Sequence, residues 1–293
     1  MESTPAVLDL DFDNLLTYIA ENSDNHDHQS SWYQEVSRLI MERLIPKVSK
    51  AMQENQPFNL GEIQTLSFPW VSFGSINSGH LFGLDELVLF AFYWSNRTRY
   101  AHFLDLGANI GLHSAIALKL GLTVTSVEPD PNHVEILRTN LEATELPHFE
   151  IIEGAATVVP GRLTFTRVEG NTTGSHVKGV KKNPYGDLTE FEVEGFSVNE
   201  LVTGKDLVKM DVEGLEADLL DSLFTAGFQG YDVVAEVGSR SAAERIWKSA
   251  KAGQINVFSQ KTNWSIARNE TELPHHHTQG SVFLSRSETM EWL

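Results

Sequence analysis

Asp105, Gly107, Asn109 and Gly111 fall on alternate positions immediately after the apolar run Phe103–Leu104, and Glu128 closes a second run, Thr123–Val127. Glycine lets a ligand approach the backbone closely, and a helix starting beyond the loop favours negative charge at its N-terminus. A carboxylate at the tip of the next strand can accept two hydrogen bonds from the 2′- and 3′-hydroxyls of a ribose. Together these residues describe a pocket for an adenosine-containing cofactor. A dinucleotide site needs Gly-x-Gly-x-x-Gly, but here Asn109 stands where the middle glycine would be. Asp105 repels a pyrophosphate and suits an ammonium group. S-adenosylmethionine, with an amino-acid head, a sulfonium and no phosphate, fits that chemistry. Glu128 is then the ribose ligand, Asp105 and Asn109 hold the methionine head, and Gly107 and Gly111 wall the pocket. Ala155 lies by the adenine, and Glu86, ahead of the first strand, reaches the amino group.

A second set of polar residues follows the fourth and fifth apolar runs. Asp211 and Glu213 come after Leu207–Met210, and Glu236 ends the run before it. Ligands of open α/β sheets bind at this carboxyl edge. Asp211 can sit near a sulfonium or take a proton from an acceptor; a Mg²⁺ site built on the three carboxylates is not adopted, and no metal ligand is assigned. An aliphatic hydroxyl needs a proton acceptor to become a nucleophile, and histidine is the usual one. His113, in the first turn after the glycine loop, His176, in Gly174-Ser175-His176, and His80, in the Gly-rich cap loop, are candidates beside Asp211. His275–His277 reads as surface loop.

The chain resembles FkbM-type members of the class I S-adenosylmethionine-dependent methyltransferases. The resemblance rests on Leu104-Asp-Leu-Gly-Ala-Asn-Ile-Gly111, Val127-Glu-Pro129, Ala155 with Pro160-Gly-Arg-Leu163, Val208-Lys-Met-Asp-Val-Glu-Gly-Leu-Glu216 and Ala235-Glu-Val237. It departs from the family at Val158 and Asn199, where aspartate is usual. It implies O-methylation of a sugar or natural-product hydroxyl, and a doubly wound, seven-stranded Rossmann-like sheet.

The elements that must position these residues follow in order. Strands are expected near 102–106, 123–128, 149–153, 206–211 and 231–236, with helices at 112–120, 131–142, 214–226 and 239–250 between them, the alternation of a parallel sheet. Asn256–Gln260 and Ser281–Ser285 supply a closing antiparallel pair. Residues 1–98 read as an N-terminal helical cap: a helix around Leu8–Leu16, a mobile acidic loop at 21–28, an amphipathic helix over 31–55 and a buried helix at Leu84–Trp94. Residues 99–293 form the catalytic domain, with a substrate-facing insertion at 161–200 that carries the basic run Lys178–Lys182.

Composition bounds the partners. A net charge of −18 argues against nucleic acid and anionic membrane. The chain has no cysteine, so thiolate chemistry and disulfides are excluded. With no apolar run of membrane length and no signal-peptide pattern at Met1–Thr4, a cytoplasmic location is expected. The partner is a small-molecule acceptor, and a homodimer is compatible with the apolar cap. N- or carboxylate methylation is the alternative activity; a nicotinamide oxidoreductase and a silent binding protein are the remoter readings.

Overall fold

The computed structural model describes residues 12–59, 61, 65–74, 76–180 and 186–292. Helices α1 (Phe12–Glu21), α2 (Ser31–Leu39) and α3 (Ile45–Gln53) lead into a two-residue hairpin, β1 (Phe58–Asn59) and β2 (Thr65–Leu66), and then α4 (Leu84–Ser95). The helix expected over 31–55 is present with a π turn at Ile40–Leu44. Pro46, which lacks an N–H and crowds the carbonyl four residues earlier, accounts for that turn.

From His102 the chain builds the main sheet. β3 (His102–Leu106), α5 (Leu112–Lys119), β4 (Thr123–Glu128), α6 (Pro131–Glu142) and β5 (Phe149–Glu153) run outward to one edge. A side sheet follows: β6 (Ala155–Thr157), β7 (Gly161–Val168), β8 (His176–Val177) and β9 (Leu188–Ser197), in the order β6-β9-β7-β8. The short α7 (Val198–Leu201) returns the chain to β10 (Leu207–Met210), α8 (Glu216–Gly227), β11 (Asp232–Glu236) and α9 (Arg240–Ala252). β12 (Asn256–Ser259), β13 (Ser265–Ile266) and β14 (Ser281–Ser285) complete the main sheet, whose order is β13-β12-β14-β11-β10-β3-β4-β5. The seven expected strands are there, and the two-residue β13 adds an eighth at one edge. β14 runs antiparallel between β11 and β12.

Strand order reverses between β3 and β10, so a crevice opens at their carboxyl ends. Side chains alternate across the sheet. Phe103, Val234 and Phe283 face α1, α4 and α5, whereas Leu104, Val233 and Leu284 face α8 and α9. α4 is buried nearly all round and lies on the sheet through Tyr93 against Phe103 and Phe92 against Phe283, each with ring centroids 5.1 Å apart. α1 packs on α4, and Trp94 Nε1 donates to Thr17 Oγ1 (3.1 Å).

The stretch 21–28 is not the mobile loop its polarity suggests. His26 is fully buried among Trp32, Trp264 and Trp292. Its Nδ1 accepts from Trp264 Nε1 (2.9 Å) and its Nε2 lies 2.9 Å from Ile19 O, so one histidine ties the N-terminal helices to the last strands. Residues 8–11 of the expected first helix, the Met1–Thr4 start and residues 181–182 of the basic run lie outside the described residues. No described helix is long and apolar enough to cross a membrane.

Candidate active site

β3 ends at Leu106, and the backbone then takes left-handed conformations at Gly107 (φ +76°), Asn109 (φ +52°) and Gly111 (φ +86°). A Cβ on Gly107 would stand 1.8 Å from Asp211 O, and one on Gly111 would stand 2.3 Å from Leu137 Cδ1. Gly107 is therefore required by its close approach to backbone as well as by φ, and Gly111 by φ. Asn109 holds its own turn, its Oδ1 accepting from Ile110 N–H (2.8 Å), and Asn140 of α6 donates to Ile110 O (2.7 Å).

Glu128 ends β4 beside this loop. Its Oε2 accepts from Asn109 N–H (2.8 Å), its Oε1 from Asp130 N–H (2.9 Å), and His133 Nδ1 lies 3.7 Å away. Asp130 N-caps α6 and makes a two-point ion pair with Arg167 of β7. Burial works to raise the Asp130 pKa, but the Arg167 bonds and the nearby His133 hold it below its ordinary value. His133 also bonds Thr172 Oγ1 (3.1 Å) and meets the edge of Phe73. Gly74 meets the same region through a bridge with Asn171. Ala155 is buried at the start of β6, next to Gly154, whose N–H donates to Glu128 O (2.9 Å).

Under the loop lies a charged cluster. Lys209 is buried, with Nζ 3.5 Å from Asp105 Oδ1 and 3.4 Å from Asp211 Oδ2, and it donates to Gly107 O (3.2 Å). Burial opposes its charge, yet Asp105, Asp211 and Glu86 raise its pKa. Asp105 is wholly enclosed, its Oδ2 accepting from Ser114 Oγ (2.7 Å), while Oδ1 accepts no hydrogen bond. The carboxylate faces Lys209 and the loop from within.

Asp211 follows β10 and keeps about a third of its side chain exposed (34%). Burial pushes its pKa up, but Lys209, a hydrogen bond with Glu236 and the nearby His113 hold it below the ordinary carboxylate value. Glu236 goes the opposite way: burial, then the charge of Asp211, push it well up. Glu213 sits in a left-handed turn (φ +56°), and Glu216 caps that turn by accepting from Val212 and Gly214 N–H. The 177–180 turn closes on it, since a Cβ on Gly214 would meet Val180 Cγ1 at 2.7 Å.

The histidine candidates separate. His113 faces the cluster, but both ring nitrogens are engaged: Nδ1 with the Tyr93 hydroxyl (3.1 Å) and Nε2 with Glu86 Oε2 (2.7 Å). It tethers α4 to α5 and leaves no ring nitrogen for a substrate proton. His176 is buried in β8, paired with Thr166, and its Nδ1 meets Gly174 O (3.1 Å). It belongs to the side sheet. His80 is bonded to Asn77 N–H (3.2 Å). Glu86, by contrast, keeps 35% of its side chain open.

Sequence reasoning assigned no role to Lys209, Tyr93, His133 or the Asp130–Arg167 pair. Lys209 had a signal: it is a lone charge inside a buried strand, two residues before Asp211 and so on the same face. The other contacts join segments far apart in the chain.

The donor set suits an S-adenosylmethionine head. Carboxylates dominate it: Glu128 beside the glycine loop, and Asp211 and Glu86, each with about a third of its side chain exposed. Among the described residues, no group of three or more His, Asp or Glu side chains is arranged to hold a metal ion.

The Methyltransferase FkbM domain matches residues 105–252, half of the 293-residue chain. No curated protein matches the sequence. The chain is similar to the precorrin-6y C5,15-methyltransferase of Geobacter metallireducens GS-15 at 13% identity, covering 55% of this chain and 68% of that one with a TM-score of 0.34. It is also similar to a SAM-dependent methyltransferase of Agrobacterium tumefaciens at 12% identity, covering 69% and 62% with a TM-score of 0.38. A third similar structure is Aeropyrum pernix fibrillarin with natively bound S-adenosyl-L-methionine, at 11% identity, covering 63% and 65% with a TM-score of 0.35.

Proposed function

This chain belongs to the FkbM methyltransferase family, whose members depend on S-adenosylmethionine, and we propose that it methylates a hydroxyl oxygen of a small molecule such as a sugar or natural product. One observation carries the reading. A partly open carboxylate, Asp211, held below its ordinary pKa, stands at the sheet's switch point beside the glycine cradle, while the nearby His113 is fully engaged. When bound, S-adenosylmethionine supplies a methyl group on a sulfonium centre that is already a good leaving group. This chain's residues bind, align and take the proton.

Glu128 accepts the ribose hydroxyls. Each of its oxygens takes one backbone N–H and keeps a further acceptor site. Glu86 offers its open oxygen to the ammonium group, and Asp105 adds negative charge from within. Gly107, Asn109 and Gly111 present backbone, and Ala155 lies by the adenine. Asp211 accepts the proton of the acceptor hydroxyl. In this reading residues 1–98 act as a cap on a 99–293 catalytic domain, and the 161–200 insertion walls the acceptor. That last role is supported by the closure of Val180 on Gly214, three residues beyond Asp211. A cytoplasmic homodimer completes the proposal.

Calorimetric titration with S-adenosylhomocysteine, with NADH in parallel, tests the cofactor; NADH binding alone overturns the assignment. A panel of hydroxyl, amine and carboxylate acceptors, supplied with a deuterated-methyl donor and read by mass spectrometry, tests the acceptor atom. Labelled amines without labelled alcohols move the reading to N-methylation. A carboxylate acceptor needs no base, so product formation that survives Asp211→Asn points to carboxylate methylation.

A further inference from the structure

We propose that His113 is a positioning residue for the cofactor's amino-acid head: it holds one oxygen of Glu86 so that the other accepts the ammonium group. The proposal rests on the S-adenosylmethionine reading above and adds to it the residues, His113 and Tyr93, that fix its ammonium ligand.

The geometry begins on one face of α4. Glu86, Phe90 and Tyr93 stand at i, i+4 and i+7 of that helix and so share a face. All three meet the ring of His113, in the first turn of α5. Its Nε2 lies 2.7 Å from Glu86 Oε2, and its Nδ1 lies 3.1 Å from the Tyr93 hydroxyl. The Phe90 ring stands against it at 62°, with centroids 4.8 Å apart. Phe90 and Tyr93 are fully buried, so the imidazole has a fixed seat. A carboxylate accepts and does not donate, so Nε2 carries a hydrogen and gives it to Glu86. His113 keeps 11% of its side chain exposed and Glu86 35%. The imidazole is the anchored end of the pair, and the carboxylate is the open end.

Glu86 stands at the edge of the sheet where the glycine loop lies. Asp85, the residue before it, accepts from Gln260 Nε2 (3.0 Å) and from the Tyr33 hydroxyl (2.8 Å). Gln260 directly follows β12, which runs parallel to β11 because both are antiparallel to β14. The start of α4 is thereby anchored at the carboxyl edge. On the other side, His113 is two residues beyond Gly111, the left-handed residue that opens α5. Lys209, which donates to Gly107 O beneath the loop, feels the charge of Glu86. The bond between His113 and Glu86 thus joins the start of α4 to the exit of the glycine loop.

The arrangement has a use. A free glutamate side chain loses rotamer freedom when it takes a ligand, and that cost weakens binding. Here the imidazole has already ordered Glu86 before any ligand arrives. The benefit goes only to ligands with an ammonium group to donate. S-adenosylmethionine and S-adenosylhomocysteine carry one; 5′-methylthioadenosine, the same nucleoside thioether without the amino-acid head, does not.

Calorimetry of the full chain with S-adenosylhomocysteine and 5′-methylthioadenosine in parallel separates this role from a structural one. Wild type should prefer S-adenosylhomocysteine. His113→Phe keeps a ring against Phe90 and removes both nitrogens; it should weaken S-adenosylhomocysteine roughly 10-fold and 5′-methylthioadenosine by less than about twofold. His113→Gln, whose amide still donates, should stay within about threefold of wild type for both ligands. Glu86→Gln should show the same selective loss, and combining it with His113→Phe should add little, because both act on one contact. If His113→Phe does not fold, the pair His113→Phe with Tyr93→Phe, which leaves no buried hydroxyl unpartnered, carries the same reading. Equal losses for the two ligands, no loss for either, or losses that add in the combined variant overturn this proposal and leave the cofactor reading standing. A wild type that binds both ligands alike overturns it too. Failure of the wild type to bind either ligand removes the cofactor reading, and the proposal falls with it.

Discussion

At the scale of single residues, the two chemistries of Glu128 can be separated. It accepts from Asn109 and Asp130 N–H in this structure, and under the proposed function it also holds a ribose. Glu128→Ala should weaken S-adenosylhomocysteine binding by about 1–3 kcal/mol, the scale of lost charge-assisted hydrogen bonds, and should also lower Tm because two loop donors lose their partner. Unchanged affinity in calorimetry would contradict the ribose assignment. His26 permits a pH prediction. Burial lowers its pKa from 6.5 to about 4, against which its bond to Ile19 O works only weakly. The neutral form is therefore the one the fold stabilises. That stabilisation is complete above the unfolded pKa, near 6.5, and declines as pH falls from there through about 4. The total is roughly 3 kcal/mol, at 1.36 kcal/mol per pKa unit. Urea melts at pH 7.5 and 4.5 should show the decline, and His26→Gln should flatten this part of it.

At the scale of elements, the glycine loop and the β7 latch carry the predictions. Gly107→Ala places a methyl against Asp211 O in a left-handed backbone, so β3 and β10 cannot keep their register at the crevice. We expect cofactor binding to be lost and Tm to fall, as read by calorimetry and thermal melts. Arg167→Ala leaves Asp130 buried and unpaired, at a cost of roughly 3 kcal/mol in denaturant melts. Since Asp130 N–H also anchors Glu128, the same variant should bind S-adenosylhomocysteine more weakly. The strands of the side sheet were legible in part. Phe191 and Val193 alternate with Glu190, Glu192 and Glu194, a half-exposed strand pattern in a segment read only as an insertion. What that alternation lacks is a partner: β9 pairs with β7 across a connection of about twenty residues, and periodicity within one strand does not say where its edge will be met.

At the scale of the whole molecule, the N-terminal helices are structural. Phe12, Leu15, Leu16 and Ile19 of α1 belong to the same apolar cluster as Phe103 and Phe283 of the main sheet. Deleting residues 1–30 should therefore destabilise the fold, measured as a lower Tm, and an unchanged Tm would contradict that role. The order of strands and helices from residue 102 was readable from sequence because hydrophobic period and turn chemistry are local, and a glycine loop followed by an acidic strand end is a local pattern. The meeting of the glycine loop with Glu128 followed too, since loop, strand tip and helix start are neighbours in the chain. The catalytic face did not. Whether His113 is free or tied to Tyr93 and Glu86, and whether Asp105 meets open space or Lys209, are set by residues twenty or more positions apart. Those facts depend on burial and on the field of groups that only sheet pairing brings together. Residue types and spacing by themselves determined the class of pocket, because backbone conformation and alternation act over a few residues. Tertiary structure decided protonation and access, because desolvation and charge act through space.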